Sequence, residues 1–294
     1  IRKIRRNMEL ILAAACCSVI VSILLKFAKA QGFDALHMIV WNYASASVLC
    51  FLWFKPDLQH VSIINTPWWL IIALGVLLPS VFLCLARSLQ YAGIVKTEIA
   101  QRLSVVLSLL AAFFIFQEQF NTLKIIGIVL GVFAVLSLLF SHQHDKTGQS
   151  STKQAMLYLA LVWFGYALID VLLKYTTGLG LQFAVALNLM FICAFILSLA
   201  HIAMTTKTVG NRKNILAGMG LGLLNFANIA LYVKAHMLLK DTPAIVFAGM
   251  NILVVVFGAL SGLIIFKEKL TPRAALGLTL GLASVICLGY AISV

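Results

Sequence analysis

Ionisable side chains lie inside long apolar stretches of this sequence, and these are the residues that could bind a polar solute or exchange a proton. Tyr166, Asp170 and Lys174 are spaced at i, i+4 and i+8, so they lie along one stripe of a helix. Such groups are costly inside a membrane and usually face a bundle interior or a water-filled cavity. The stripe is therefore a candidate site, and an Asp170–Lys174 ion pair near a helix end is the alternative interpretation.

Amide groups follow the same pattern in a second stretch. Asn225, Asn228 and Tyr232 are spaced at i, i+3 and i+7, which again places them on one helix face. They could line a binding cavity. Amides can also join helices by hydrogen bonds worth only about 1 kcal/mol each, so a structural role remains open.

A third stretch combines an amide with two opposite charges. Glu98, Gln101 and Arg102 are spaced at i, i+3 and i+4. An internal Glu98–Arg102 ion pair would lower the cost of inserting both charges, and it could be purely structural. Gln101 has no such explanation, so it is a candidate for solute binding.

The composition of the chain defines its broad class. The 294 residues are 62% hydrophobic and 11% charged, with a mean hydropathy of +1.04. Soluble domains contain about 25% charged residues, so an ordinary soluble domain is excluded. The net charge of +13 could suggest nucleic acid, but no basic stretch lies in a hydrophilic fold that could follow a phosphate backbone. Membrane lipid is the expected environment, and nucleic acid is not an expected partner.

Apolar segments of membrane-spanning length recur along the whole chain. A helix needs about 20 apolar residues to cross ~30 Å of hydrocarbon, and on that scale the sequence predicts an all-α membrane protein with ten spans. A polar linker at 141–153 separates a first unit, 1–140, from a second, 154–294. The predicted spans are 8–28, 36–54, 67–89, 94–116, 122–140, 154–174, 182–204, 214–238, 244–266 and 272–292.

Two motifs recur in both units in the same order. FQEQFNTLKIIGIVLG at 116–131 aligns with FKEKLTPRAALGLTLG at 266–281, an offset of 150, and SILLKF at 22–27 aligns with DVLLKY at 170–175, an offset of 148. The nearly constant offset predicts two homologous units of five helices. Because five is odd, the second unit enters the membrane from the opposite side. Such inverted repeats are typical of secondary transporters, which place their substrate site at the repeat interface.

The repeat pairs amides across the two units. Gln101 aligns with Asn251, and matched amides of inverted units are expected to converge near the pseudo-two-fold axis. Asn42 and Asn188 also correspond, after a shorter loop in the second unit. The predicted substrate-binding residues are therefore Gln101, Asn251, Asn225, Asn228, Tyr232, Tyr166, Asn42 and Asn188.

Charged residues correspond less completely. Lys26 aligns with Lys174, whereas Asp170 has Ser22 as its counterpart, so the two units share the lysine and not the acid. An acid at membrane depth beside a cation could couple its protonation to solute occupancy. The predicted coupling or gating residues are Asp170, Glu98, Arg102, Lys26 and Lys174.

These motifs resemble a known family. Five plus five helices, a YAG or TPA hairpin before helices four and nine, and an F-x-E-x-[FL]-[NT] signature followed by G-x-x-x-G are similar to the EamA-type transporters of the drug/metabolite transporter (DMT) superfamily. The resemblance covers essentially the whole chain, although the family's usual proline in helix four is replaced by Ser104 or a neighbour. It implies a secondary carrier that moves small metabolites, often outward, without nucleotide hydrolysis.

The leading functional hypothesis is a secondary active transporter for a small polar metabolite, working by alternating access and exporting its solute. Cations outnumber anions among the intramembrane residues, which favours an amino-acid-like or carboxylate-bearing solute. The alternative is a proton-coupled multidrug exporter of organic cations. The short relatives use a membrane-embedded glutamate in helix one, where this chain has only Glu9, at the mouth of the helix.

A non-transporting membrane sensor or an intramembrane enzyme is a third hypothesis, but no nucleophile–base pair or sensing domain is evident, so no enzyme activity is expected. No cofactor is expected, and no metal either, because His142 and His144 in the linker supply two ligands without a third. Beyond a substrate and lipid, a coupling proton is a candidate partner. Glycine stripes on helices five and ten fit packing within one chain or between two, so a monomer and a homodimer both remain open.

Orientation follows from the basic residues near the start of the chain. An excess of Lys and Arg favours the cytoplasmic side, and an even number of spans places both termini on the same side. Basic residues of the second half oppose this assignment. We expect a multi-pass protein of the cell membrane, by resemblance the bacterial inner membrane, with cytoplasmic termini. The basic residues near the start of the chain on which this orientation rests are Arg2, Lys3, Arg5 and Arg6.

Overall fold

The structure, a computed structural model, describes residues 2–59, 61, 66–116, 120–140, 149–205, 211–239 and 243–293. Within these ranges the regular structure is helical, and ten stretches are long and apolar enough to cross a membrane. The predicted all-helical fold and the count of ten spans are confirmed. Most of the predicted linker, with His142 and His144, lies outside the described residues, and the following helix already begins at Gln149.

Eleven α-helices make up the ten spans. The fourth span is divided into α4 and α5, and α10 continues into a π-helical turn over Ser261–Ile265. The helices are α1 (Arg2–Ala30), α2 (Ala35–Phe54), α3 (Trp68–Tyr91), α4 (Ile94–Arg102), α5 (Ser104–Phe116), α6 (Thr122–Leu139), α7 (Gln149–Gly178), α8 (Phe183–Thr205), α9 (Arg212–Leu238), α10 (Pro243–Leu260) and α11 (Pro272–Ser293).

The bundle has two ends, which we name by the chain segments found there. At the linker end α6 ends and α7 begins, and the Arg273 side chain at the start of α11 donates to the Phe140 carbonyl after α6, at 3.0 Å. At the terminal end α1 begins and α11 ends, and the Asn121 amide before α6 donates to the Ala291 carbonyl of α11, at 3.4 Å. These contacts fix the alternating direction of successive spans.

Helix pairing is nearly unchanged when the two halves are exchanged. Helix α1 packs against α9, and its counterpart α7 packs against α3. Likewise α2 packs against α9 as α8 packs against α3, while α2 with α8, α4 with α10 and α6 with α11 are pairs between counterparts. Two five-helix units related by a two-fold axis in the membrane plane produce this pattern.

Glycines allow a close contact between α6 and α11. A Cβ atom added to Gly127 would lie 2.7 Å from the Leu288 side chain, and one added to Gly277 would lie 2.8 Å from that of Leu138. The Ser284 hydroxyl donates to the Gly127 carbonyl at 2.6 Å across the same contact. The glycine stripes of α6 and α11, which are the fifth and tenth spans, therefore pack within one chain.

The fourth span is interrupted at Leu103, between α4 and α5. The Trp163 indole N–H of α7 donates to the Leu103 carbonyl at 2.9 Å, so this buried backbone group remains satisfied. The break occurs without a proline, next to Ser104. It separates the charged segment α4 from the apolar segment α5, and it lies beside Gln101 and Arg102.

Candidate substrate cavity

A cavity of about 760 Å³ lies between the two five-helix units. Its wall contains residues of α2, α3, α4, α5, α7, α8, α9 and α10. The described wall residues lie at mid-helix or nearer the terminal end, where Leu173, Phe183 and Met237 are found close to the ends of their helices. The cavity therefore extends from the middle of the membrane toward the terminal end.

Six of the eight predicted substrate-binding residues belong to this wall. The aligned amides Gln101 and Asn251 are both present, and the Asn251 side chain donates to the Phe247 carbonyl of its own helix at 2.8 Å. The stripe on α9 faces the cavity along its length. The six residues are Gln101, Asn251, Asn225, Asn228, Tyr232 and Tyr166.

Opposite charges face the cavity from different units. Arg102, at the end of α4, lines the wall and donates from Nη2 to the Ser18 hydroxyl of α1. Asp170 of α7 lines the wall and accepts from the Ser108 hydroxyl of α5 at 3.2 Å. Each charge keeps hydrogen-bonding capacity beyond its single serine partner. The cavity can therefore present one cation and one anion to a solute.

Glu98 and Arg102 are not an ion pair, which corrects the interpretation of their spacing. Glu98 is 0% exposed, and its Oε1 atom accepts from the Ser22 hydroxyl. Of the atoms the structure describes, none is a hydrogen-bond partner for its Oε2 atom. Serines on α1 thus hold the side chains of Glu98 and Arg102, and Glu98 lies outside the cavity wall, against Gly258 of α10.

Asn42 and Asn188 lie behind the cavity wall. They are 0% and 1% exposed and belong to the contacts among α2, α8 and α9. Asn188 donates to the Ser47 carbonyl at 2.9 Å, and Asn42 accepts from the wall residue Asn225 at 3.4 Å. Asn42 thus supports a wall residue and Asn188 joins two helices, and direct contact of either residue with substrate stays a prediction.

The two aligned lysines also lie outside the wall. Lys26, near the end of α1, forms an ion pair with Glu268 at the linker end. Lys174 is an exposed residue one turn beyond Asp170, toward the terminal end. Neither lysine contributes its charge directly to the cavity. Their roles in coupling or gating stay predictions.

Other aromatic residues of the wall, namely Tyr43, Phe82, Phe191 and His236, are a part of the cavity that the sequence did not indicate. Tyr43 packs against Phe82 and Phe191, with ring centroids 6.4 and 6.0 Å apart. His236 meets Tyr232 edge-on, with ring centroids 4.6 Å apart. In an apolar span these residue types are indistinguishable from ordinary packing residues. Helical spacing alone carried no signal for them.

Ten apolar spans around a cavity that contains polar and charged side chains at mid-depth define a multi-pass membrane protein of the transporter type. The model of the EamA-like transporter family matches residues 8–140. The chain belongs to this family, as the sequence motifs predicted.

Two further similarities extend over nearly the whole chain. A protein of Haemophilus influenzae (strain ATCC 51907 / DSM 11121 / KW20 / Rd), described as an uncharacterized protein, is 36% identical over 291 residues, which cover 96% of this chain and 98% of the relative. A crystal structure of another protein aligns with 97% of this chain and 96% of its own, with a TM-score of 0.59 and 12% identity. The second similarity concerns the fold alone.

Proposed function

We propose that this protein is a secondary active transporter that exports a small polar metabolite, amino-acid-like or carboxylate-bearing, by alternating access. The observation that carries the proposal is the pair of opposite charges, Arg102 and Asp170, in the wall of one cavity between two inverted units. A membrane of the bacterial inner type is the proposed location. The family supports transport, and the charges support the class of solute.

Recognition of such a solute uses each part of the wall. The Arg102 guanidinium offers a fork of donors to a carboxylate, and the Asp170 carboxylate offers acceptors to an ammonium group. Amides at Gln101, Asn225 and Asn251 provide hydrogen bonds for other polar groups. The aromatic wall accommodates an apolar portion of the solute. Cavities of roughly 300–1,000 Å³ are typical of small-molecule sites, and this one is about 760 Å³.

An exporter of organic cations is a second candidate, and Asp170 is the observation that favours it. An organic cation could pair with this carboxylate and stack against the wall aromatics. Arg102 opposes it, because a fixed cation in the same wall repels such a solute. The two candidates therefore differ in whether Arg102 helps or hinders binding.

Ligand-dependent thermal stabilisation of the purified protein separates the two candidates. The panel should contain amino acids, carboxylates without an amine, and organic cations, each tested against the native protein, Arg102→Gln and Asp170→Asn. We expect amino acids or carboxylates to stabilise the native protein and to lose this effect in Arg102→Gln. Lys234→Gln is a matched control, because Lys234 lies outside the wall, over the Trp53 ring. Stabilisation by organic cations alone, unchanged or stronger in Arg102→Gln, would favour the second candidate.

The proposed direction depends on which membrane face the cavity meets. With cytoplasmic termini, a cavity that extends toward the terminal end loads solute from the cytoplasm, as an exporter requires. Single cysteines at position 151 and at the C-terminus, in a background without the six native cysteines, should label from opposite sides of the membrane. Labelling of position 151 from the cytoplasm would reverse the orientation.

A further inference from the structure

The Glu268 carboxylate joins three segments at the linker end of the bundle. It lies in the turn between the π-helical turn and α11, and its Oε1 atom accepts from the Lys26 ammonium of α1. The same carboxylate accepts from the first two backbone N–H groups of α4, at 2.7 Å from Ile94 and 3.2 Å from Val95. We call these four residues the linker-end latch: Lys26, Glu268, Ile94 and Val95.

Aromatic packing reinforces the latch. The Lys26 ammonium lies 4.3 Å from the centre of the Phe266 ring, and the Phe27 ring packs on the same ring with centroids 4.8 Å apart. Both Phe266 and Glu268 belong to the turn that precedes α11. One short turn of the second unit is thus attached to α1 and α4 of the first unit.

Two glycines let these segments approach so closely. Gly93 has φ +89°, and a Cβ atom there would lie 2.7 Å from the Glu268 carboxyl group. A Cβ atom at Gly262 would lie 3.0 Å from the Glu268 Oε2 atom. Side chains at either position would push the carboxylate away from the α4 amides. The local sequence is therefore compatible with this contact only because both positions are glycine.

The repeat shows what lies beneath the latch. Seven wall residues of the cavity have repeat counterparts in α1 and α4, at the offsets of 148 and 150 defined by the two motifs. Tyr166 corresponds to Ser18, and Asn251 corresponds to Gln101, which is itself a wall residue. The other five wall residues are Ile169, Asp170, Leu173, Phe247 and Met250. Their counterparts, in the same order, are Val21, Ser22, Leu25, Thr97 and Ala100, and all five are buried.

We propose that the linker-end latch holds shut a second half-channel, lined by Val21, Ser22, Leu25, Thr97 and Ala100, which opens to the opposite membrane face when the latch separates. This inference rests on the proposed transporter function. The present structure combines a cavity that extends toward the terminal end with a closed latch at the linker end. Separation of α1 and α4 from the turn before α11 is the step that would open the half-channel at the linker end as the cavity closes at the terminal end.

The latch is suited to reversible opening. The side chains of Lys26 and Glu268 are 18% and 17% exposed to solvent, so water can replace each partner as the two side chains separate. One charge-assisted hydrogen bond changes an equilibrium by about ten- to a hundredfold. Removal of the Glu268 charge should therefore shift the protein measurably toward the form that is open at the linker end.

Cysteine accessibility tests this directly. Thr97→Cys and Phe247→Cys are reporters at repeat-equivalent positions, one buried under the latch and one in the cavity wall. Each is placed in the background without native cysteines, and its reaction rate with a water-soluble maleimide is measured in nanodiscs. In the native latch we expect rapid reaction at position 247 and slow reaction at position 97.

Glu268→Gln should raise the rate at position 97 by about tenfold or more and lower the rate at position 247. Lys26→Gln should act in the same direction, and it carries the test if Glu268→Gln does not fold. Lys29→Gln is the matched control, because Lys29 is a cation of the same helix end that donates to the Gln90 side chain instead, at 2.9 Å. This control should leave both rates unchanged.

Two results would overturn the inference: an unchanged rate at position 97 in both latch variants, or a parallel increase at both reporters, which indicates general loosening. The assay needs no substrate, so it is independent of the solute panel. Reciprocal rates without any transported solute would leave the latch standing and reject the proposed function. Transport of a solute together with unchanged reporter rates would support the proposed function and reject the latch.

Discussion

Helices α4 and α10 occupy equivalent places in the two units but differ in chemistry. Both contribute an amide to the cavity wall, Gln101 and Asn251. Helix α4 also carries Lys96, Glu98 and Arg102 and ends in a break at mid-depth, whereas α10 carries no charge and runs unbroken to Leu260. The repeated scaffold therefore forms a nearly symmetric cavity wall, and under the proposed function the unequal charges would give a bound solute one preferred orientation.

Loss of the Arg102 charge should have the largest effect on the difference in solute binding between α4 and α10. Hydrogen bonds to charged groups contribute about 1.5–3 kcal/mol, so Arg102→Gln should weaken binding of a carboxylate-bearing solute by about ten- to a hundredfold. Isothermal titration or concentration-dependent thermal stabilisation measures the change. Arg102→Lys keeps the charge without the planar fork and should lose less. Equal affinity in the native protein and Arg102→Gln would mean that α4 holds the solute no more strongly than α10.

The close approach of α4 and α10 is tested at Gly258. A Cβ atom there would lie 2.8 Å from Cγ of the buried Glu98, and overpacking of this kind costs about 1–3 kcal/mol. Gly258→Ala should therefore lower the unfolding temperature of the purified protein. Gly249→Ala, on the same helix with its nearest contact at 3.5 Å, should instead be neutral or stabilising by up to about 1 kcal/mol. Similar behaviour of the two variants would show that Glu98 moves aside freely.

The break in the fourth span depends on one hydrogen bond from α7. Trp163→Phe removes the donor to the Leu103 carbonyl and should destabilise the protein by about 1–2 kcal/mol, since that buried carbonyl loses its partner. Thermal unfolding again measures the effect. Trp69→Phe is the control, because Trp69 is 62% exposed near the start of α3, away from the break. A destabilisation no larger than that of the control would mean that the break is set by the backbone alone.

The paired amides should show the smallest effects, and they test the symmetric part of the wall. Gln101→Ala and Asn251→Ala should each weaken binding by roughly three- to tenfold, the value of one neutral hydrogen bond of about 0.5–1.5 kcal/mol. Folding should suffer less, because water can occupy the space left in an open cavity. The same titration measures both variants. A loss at one position only would place the solute away from the pseudo-two-fold axis.

Features that depend on one helix or on the repeat were predictable from the sequence. The ten spans follow from apolar length, and the stripe of Asn225, Asn228 and Tyr232 follows from helical spacing, so these residues reach a common wall as expected. The pairing of Gln101 with Asn251 followed from the repeat alone. Their role in binding stays a prediction.

Features that depend on neighbouring helices were not predictable. Spacing placed Glu98 and Arg102 side by side, but serines of α1 hold both side chains instead. Spacing also cannot tell a cavity face from a packed face, so the burial of Asn188 between α8 and α2 was not evident from its correspondence with Asn42 in the repeat. Glu268 was visible only as part of a motif, since its partners are distant in the sequence.

The two charges of the cavity come from opposite units, Arg102 from the first and Asp170 from the second. A zwitterion that reaches both would connect the units through its own body. The more tightly the solute is bound, the more slowly the two units could separate, so a strongly bound solute would slow its own transport. Across a series of related solutes, affinity and turnover should therefore run in opposite directions, and the fastest cargo should be one that bridges the two charges loosely.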